Sequence, residues 1–124
     1  MVLGVGIDMM KRHSLCRAFL VPEDPFFRKT FAEGEAREAS QRGDPYAYLE
    51  GRFCLKEAVY KALRPLGNVP FCEIAIVTDD RGAPCVRLSG RAQKEAEARG
   101  VKRVLVSLSY EKDMIVSVAL AQDE

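Results

Sequence analysis

A chain of 124 residues is long enough for one domain around one core and short for two. Its 48% hydrophobic and 30% charged residues are those of an ordinary globular protein, and 19 basic against 18 acidic side chains leave a net charge of +1. No bulk field therefore points to nucleic acid or to a membrane surface, and only local clusters of charge can argue for a partner.

Residues 2–7 form a short apolar run with two glycines, read as a buried strand ending at Asp8. This apolar start has no basic region before it and no small-residue cleavage site after it, so it does not read as a signal peptide. No stretch approaches the roughly 20 apolar residues of a membrane helix. Residues 9–20 have helical character until Pro22 and Pro25 stop it. Phe26, Phe27 and Phe31 are expected to anchor a connecting segment to the core. Residues 33–42 read as a short helix stopped by Gly43.

Asp44-Pro45 is the clearest helix start in the chain, a capping residue followed by proline at the first helical position. The helix runs to about Leu63, with Leu49, Phe53, Tyr60 and Leu63 on one side. Pro65, Gly67 and Pro70 make a stiff loop. Residues 73–78 and 84–88 read as two strands around the turn Asp79-Asp80-Arg81-Gly82. Ser89 is expected to cap a helix through Arg99, supported by Arg91–Glu95 and Glu95–Arg99 pairs and ended by Gly100. Residues 104–109 and 114–121 form a last hairpin around Tyr110-Glu111-Lys112-Asp113.

Helices first and hairpin-connected strands later argue for an α+β fold: one small domain, 1–124, of mixed helices and mostly antiparallel sheet. The last strand is apolar on both faces, with Ile115 and Ala119 on one and Met114, Val116, Val118 and Leu120 on the other. In so small a chain the second face is expected to meet another subunit. Cys16, Cys54, Cys72, Cys85 and the lone His13 lack the spacing of a zinc site. The cysteines read as reduced, small apolar residues, which suits a cytoplasmic protein.

Two segments carry chemistry. Val5-Gly6-Ile7-Asp8 places an acid where an apolar strand ends, and such an acid by itself is ordinarily a turn or cap residue. The second is Arg52-Phe53-Cys54-Leu55-Lys56-Glu57-Ala58-Val59-Tyr60-Lys61. There Glu57 and Lys61 share one helix face, and Arg52 and Lys56 are likewise four apart. A solvated, salt-bridged stripe is one reading. A cradle for a polyanion and its counter-ion, set beside an apolar helix, is the other.

Together the two segments resemble the signature of the phosphopantetheinyl transferase superfamily. That signature is an apolar-Gly-apolar-Asp strand end, then an aromatic residue, two variable positions, Lys-Glu and a Lys four residues after the Glu. Phe53 follows Asp8 by 45 positions, the separation expected of the family. Phe31 and Glu35, residues 48–53, Gly82-Ala83-Pro84 and Ser107-Leu108-Ser109-Tyr110 resemble further family segments. The short length is similar to the holo-[acyl-carrier-protein] synthase branch, whose members are trimers.

The resemblance implies a 4′-phosphopantetheinyl transferase-like fold, a homotrimer, and transfer of 4′-phosphopantetheine from coenzyme A to a serine of an acyl carrier protein, releasing adenosine 3′,5′-bisphosphate. It makes Asp8 and Glu57 ligands of Mg2+, with Glu57 and Lys61 catalytic. It gives Arg52, Lys56, Lys61, Arg64, Ser109 and Tyr110 to the coenzyme A site. The base for the serine is left open among metal-held water, Glu57 and Glu35. The alternative is a non-catalytic trimeric module that binds coenzyme A or a carrier protein.

Four features depart from the family pattern. Tyr110 stands where the family has histidine. Loop 64–70 has one glycine and two prolines where a glycine-rich loop is usual. Lys11 and Ser14 replace an acid and a carrier-facing arginine, with Arg12 the nearest arginine. Ala32 replaces a capping threonine.

Overall fold

The computed structural model describes residues 1–124. The first strand, β1 (Val2–Lys11), is longer than the apolar run alone, because it pairs antiparallel with the last strand, β5 (Met114–Gln122), out to Lys11↔Met114. Asp8 therefore lies within the strand opposite Ser117 and does not end it. The helix expected over 9–20 is absent. The chain turns at His13, whose φ is 67°, and forms only a 3₁₀ turn at Arg17–Leu20.

A short helix not anticipated, α1 (Pro25–Thr30), begins at Asp24, whose carboxylate accepts the Phe26 N–H at 2.8 Å. Helix α2 spans Glu33–Ser40. Although Ala32 has no capping hydroxyl, the Glu35 carboxylate still accepts the Ala32 N–H at 2.8 Å, keeping half of a capping box. The long helix α3 (Pro45–Leu63) starts as expected, with the Asp44 carboxylate accepting the Ala47 N–H at 3.1 Å.

After a 3₁₀ turn at Phe71–Glu73, β2 (Ile74–Thr78) and β3 (Pro84–Leu88) form an antiparallel pair. Helix α4 (Gly90–Ala98) follows Ser89, but the side chain at its start is that of Glu73, which accepts the Ala92 N–H at 3.1 Å. Strand β4 (Arg103–Glu111) then pairs with β5 across a turn tighter than expected, at Lys112-Asp113.

The result is α+β: a three-stranded sheet in the order β1-β5-β4 and a separate two-stranded sheet. Helix α3 lies across one face of the larger sheet. The main core is built there from Leu55, Ala58, Val59, Ala62 and Leu63 of α3 against Ala119 and Ala121 of β5 and Ile74 and Ile76 of β2. A second cluster gathers Leu20, Phe27, Phe31, Ala39, Tyr48 and Leu49, so the phenylalanine-rich segment anchors the first 40 residues to α3. The opposite face of the larger sheet is open and apolar, with Val5, Ile7 and Met9 of β1 beside Val118 of β5 and Leu105 of β4. No helix is long and apolar enough to cross a membrane.

Candidate active site in two halves

The first half is built where β1 meets α3. Gly4, Gly6 and Asp8 alternate towards the helix, and the glycines let the strand rest on helix backbone. A Cβ on Gly4 would fall 2.1 Å from the Ala62 carbonyl oxygen, and one on Gly6 1.8 Å from that of Ala58. This close approach brings Asp8 over α3, where its Oδ1 accepts from Lys61 Nζ at 3.1 Å. The same ammonium donates to the Ile7 carbonyl at 2.9 Å.

Glu57 lies one turn before Lys61 on the helix. Burial and the nearby Asp8 charge push its carboxyl up from the ordinary value, and Lys61 opposes them. Two carboxylates that repel each other across a single ammonium favour a further cation. No third histidine, cysteine or acid joins them as a closed protein cage. Two hard oxygen ligands with room for water and phosphate oxygens are what Mg2+ accepts, so the donor set fits that ion.

The second half is a basic cleft of about 780 Å³ at the N-terminal part of α3 and the end of β4. Arg52 is only 7% exposed; its Nη2 donates to Thr78 Oγ1 at 3.1 Å, while its Nε has no partner. Its guanidinium stacks 4.5 Å from the Tyr48 ring, and that of Arg42 sits 4.9 Å from the same ring. Arg12 completes the cleft, held by the buried Glu50 at 2.7 Å. A buried guanidinium with a spare donor, flanked by two more, is suited to a phosphate monoester.

Tyr110 closes this cleft from β4. Its hydroxyl donates to the Ala47 carbonyl at 3.1 Å, and the ring lies so close to α3 that a Cβ on Gly51 would fall 2.1 Å from the hydroxyl. Burial raises the Tyr110 phenol, so it stays neutral and supplies no charge where the family has histidine. Arg12, Arg42, Tyr48 and Thr78 were not singled out as ligands from sequence. Arg42 reads there as a helix end before Gly43, and only the fold brings it onto Tyr48.

Several expected site residues fall elsewhere. Lys56 is fully buried, and its ammonium donates to Glu35 Oε1 at 2.7 Å and to the carbonyls of Phe71 and Ile74 at 3.0 and 2.6 Å. All three donors are used, so Lys56 has none for a phosphate. Burial pulls its pKa down and the Glu35 charge opposes this. Glu35 is equally buried and also accepts the Ile76 N–H at 3.1 Å, which removes it as a base for serine.

Arg64 caps the end of α3 with φ 48° and is exposed beyond Lys61. In the loop that follows, the N–H groups of Leu66 and Gly67 point to the Glu95 carboxylate at 2.9 and 3.4 Å, so an internal acid occupies them. Ser109 lies opposite Val116, two positions from Ser107 and Glu111 on the open sheet face, and does not line the cleft. The structure thus brings Asp8, Glu57 and Lys61 together on one side and Arg52 with Tyr110 on the other. Within one chain it does not join the two groups.

A model of the 4′-phosphopantetheinyl transferase superfamily matches residues 4–119. The chain is 34% identical to a holo-[acyl-carrier-protein] synthase of Natranaerobius thermophilus, over 97% of each chain. It is 37% identical over 121 residues to the fatty acid synthase subunit alpha of Schizosaccharomyces pombe, covering 95% of this chain and 6% of that one. Among solved structures, the holo-[acyl-carrier-protein] synthase of Neisseria meningitidis superposes with a TM-score of 0.85 at 31% identity, covering 98% of this chain and 99% of that one. The coenzyme A complex of the Chronobacterium ammoniagenes enzyme gives 0.79 at 26% identity, covering 96% of each.

Proposed function

Because the chain belongs to the 4′-phosphopantetheinyl transferase superfamily and is an enzyme of the holo-[acyl-carrier-protein] synthase type, we propose that it transfers 4′-phosphopantetheine from coenzyme A to a serine hydroxyl of an acyl carrier protein. The reaction is magnesium-dependent, releases adenosine 3′,5′-bisphosphate, and serves fatty acid synthesis in the cytoplasm. The whole chain, 1–124, acts as one domain.

The observation that carries this reading is the Asp8–Glu57 pair held beside Lys61 by the glycine contact of β1 on α3. When bound there, Mg2+ would supply positive charge to the pyrophosphate of the donor. Asp8 and Glu57 would hold the ion. Lys61 neutralises phosphate charge at the reacting end, with exposed Arg64 beyond it. Arg52, stacked on Tyr48 and lining the cleft, grips a phosphate at the adenosine end with its guanidinium. Tyr110 contributes shape and a hydrogen-bonding hydroxyl. With Glu35 sealed in the core, the candidates for the serine proton are Glu57 and metal-held water. Phosphoryl transfer asks the protein mainly for positioning and charge neutralisation, which these groups provide.

The two halves flank the larger sheet, Asp8 on edge strand β1 and Tyr110 on edge strand β4. A homotrimer joined through the open sheet face would set the acidic half of one copy against the basic cleft of the next, making Ser109 a boundary residue. The non-catalytic alternative finds support in the neutral Tyr110 and in the proline-stiffened loop, whose Leu66 and Gly67 amides are taken up by Glu95.

Mass spectrometry of an apo acyl carrier protein, incubated with coenzyme A, Mg2+ and this protein, should show the gain of one phosphopantetheine. Asp8→Ala and Glu57→Gln should each abolish the gain while keeping the wild-type circular dichroism. Near wild-type turnover by either variant would remove the pair from the mechanism.

A further inference from the structure

Helix α4 and its capping residue Arg99 present Arg91, Glu95 and Arg99 at intervals of four, and each turns to the backbone around the exit of α3. Arg91 Nη1 donates to the Asn68 carbonyl at 3.4 Å, and Glu95 accepts the Leu66 and Gly67 N–H groups. Arg99 reaches deepest. Its Nη1 donates to the carbonyls of Ala62, at 3.0 Å, and Leu63, while its Nη2 donates to the Leu3 carbonyl at 2.8 Å.

Ala62 and Leu63 end the helix that carries Glu57 and Lys61, and Leu3 belongs to the strand that carries Asp8. One planar fork therefore ties together the two elements that hold the acidic half of the site. The contact it braces is smooth, since Gly4 and Gly6 lie on helix backbone with no side chain to interlock. Past the far end of β1, Arg12 Nε and the His13 N–H donate to the Glu50 carboxylate of α3 at 2.7 Å each, and near the site itself the ties are the exposed Lys61 bonds and a 3.7 Å sulfur contact from Cys54 to the Asp8 carbonyl. A partly buried guanidinium on the last carbonyls of a helix is a stronger constraint than either.

We propose that Arg99 is a positioning residue: from outside the site it fixes the alignment of β1 on α3 and so the spacing of Asp8 and Glu57. This rests on the metal-pair reading above. Its geometry uses a fork, because Arg99 divides the contacts between two nitrogens, Nη1 on the α3 carbonyls and Nη2 on that of Leu3, a span that the one nitrogen of a lysine does not reproduce.

The test titrates Mn2+ into the full-length protein, following free Mn2+ by electron paramagnetic resonance, for wild type, Arg99→Lys, Arg99→Met and Arg91→Ala. Arg99→Lys should weaken Mn2+ binding by about tenfold, the size of effect seen when support behind a metal ligand is lost. Arg91→Ala, on the same helix, should leave it unchanged. Arg99→Met should weaken it further if it folds, and Arg99→Lys decides the matter if it does not. An Arg99→Lys protein that melts at lower temperature yet binds Mn2+ as wild type overturns the proposal, since a merely structural role has that signature. A wild-type protein that binds no Mn2+ would instead overturn the metal reading. Hydrogen exchange then decides: β1 amides should exchange faster in Arg99→Lys than in wild type, and unchanged protection refutes the tie.

Discussion

Lys56 shows how adjacent charges in one motif acquire opposite roles. A step of one residue turns the side chain by about 100° around the helix, so Lys56 enters the core while Glu57 faces the β1 side. There Lys56 meets Glu35, and the pair joins α2, α3 and β2 through five hydrogen bonds. Removing one partner leaves an uncompensated charge, so Lys56→Met should cost about 3–5 kcal/mol in urea unfolding. Affinity of the folded protein for adenosine 3′,5′-bisphosphate should stay unchanged, and a folded variant that has lost it would return Lys56 to the donor site. Tyr48 gives a prediction with a pH window. Burial, and the hydrogen bond it donates to Glu38 at 2.8 Å, push its phenol from 10.0 up to about 12. The folded state holds this proton more tightly than the unfolded chain. The stabilisation is complete below about pH 10 and is lost as pH rises towards 12, at up to about 1.4 kcal/mol per pH unit. The stability of wild type relative to Tyr48→Phe should therefore be flat below pH 9.5 and fall above it; parallel curves would exclude the shift.

At the scale of elements, the contact of β1 with α3 decides the acidic half-site. Gly6→Ala must push the strand away, because its Cβ would lie 1.8 Å from the Ala58 oxygen. It should destabilise the protein by at least about 1–3 kcal/mol and abolish transfer, whereas Gly34→Ala, with nothing within 4 Å, should do neither. Guanidinium unfolding and the transfer assay read both, and an active Gly6→Ala would contradict the close approach. Elements with local signals were legible in the sequence: α3 through Asp44-Pro45, β2 and β3 through their turn, β4 and β5 as a hairpin around residues 110–113. The extension of β1 to Lys11 was not, because it depends on pairing with Met114, more than 100 residues away, which no local pattern reports. Helix α1 carries the same Asp-Pro signal as α3, at Asp24-Pro25, and was hidden by the reading of its phenylalanines as a connector. Within the site, Asp8, Glu57 and Lys61 were legible as a motif. Arg42 on Tyr48, and Glu95 on the loop amides, were not, since each depends on where a distant backbone comes to rest.

The whole molecule leaves one face unexplained by its own core. Ile7 is 63% and Met9 66% exposed on β1, and Val118 is 37% exposed in the middle of the sheet. Strands β1 and β5, with Leu105 of β4, thus carry an apolar surface that a lone small domain has no means to cover. Ile115, on the same last strand, is 0% exposed and faces α3, so it tests the core and not the interface. The assembled protein should have a mass near three chains by light scattering. Ile7→Lys should dissociate it, because an unpaired ammonium buried between apolar strands costs several kcal/mol. In the dissociated variant the substituted position stands in water on a strand whose other face still meets α3, so each chain should keep its fold and both halves of its site. Binding of adenosine 3′,5′-bisphosphate to the Arg52 cleft should survive in weakened form, while transfer should fall by orders of magnitude, because the acidic half that completes the site belongs to a neighbour. A dissociated Ile7→Lys protein with full activity would place both halves in one chain and refute the shared site, and a wild-type monomer that transfers normally would refute the assembly as well.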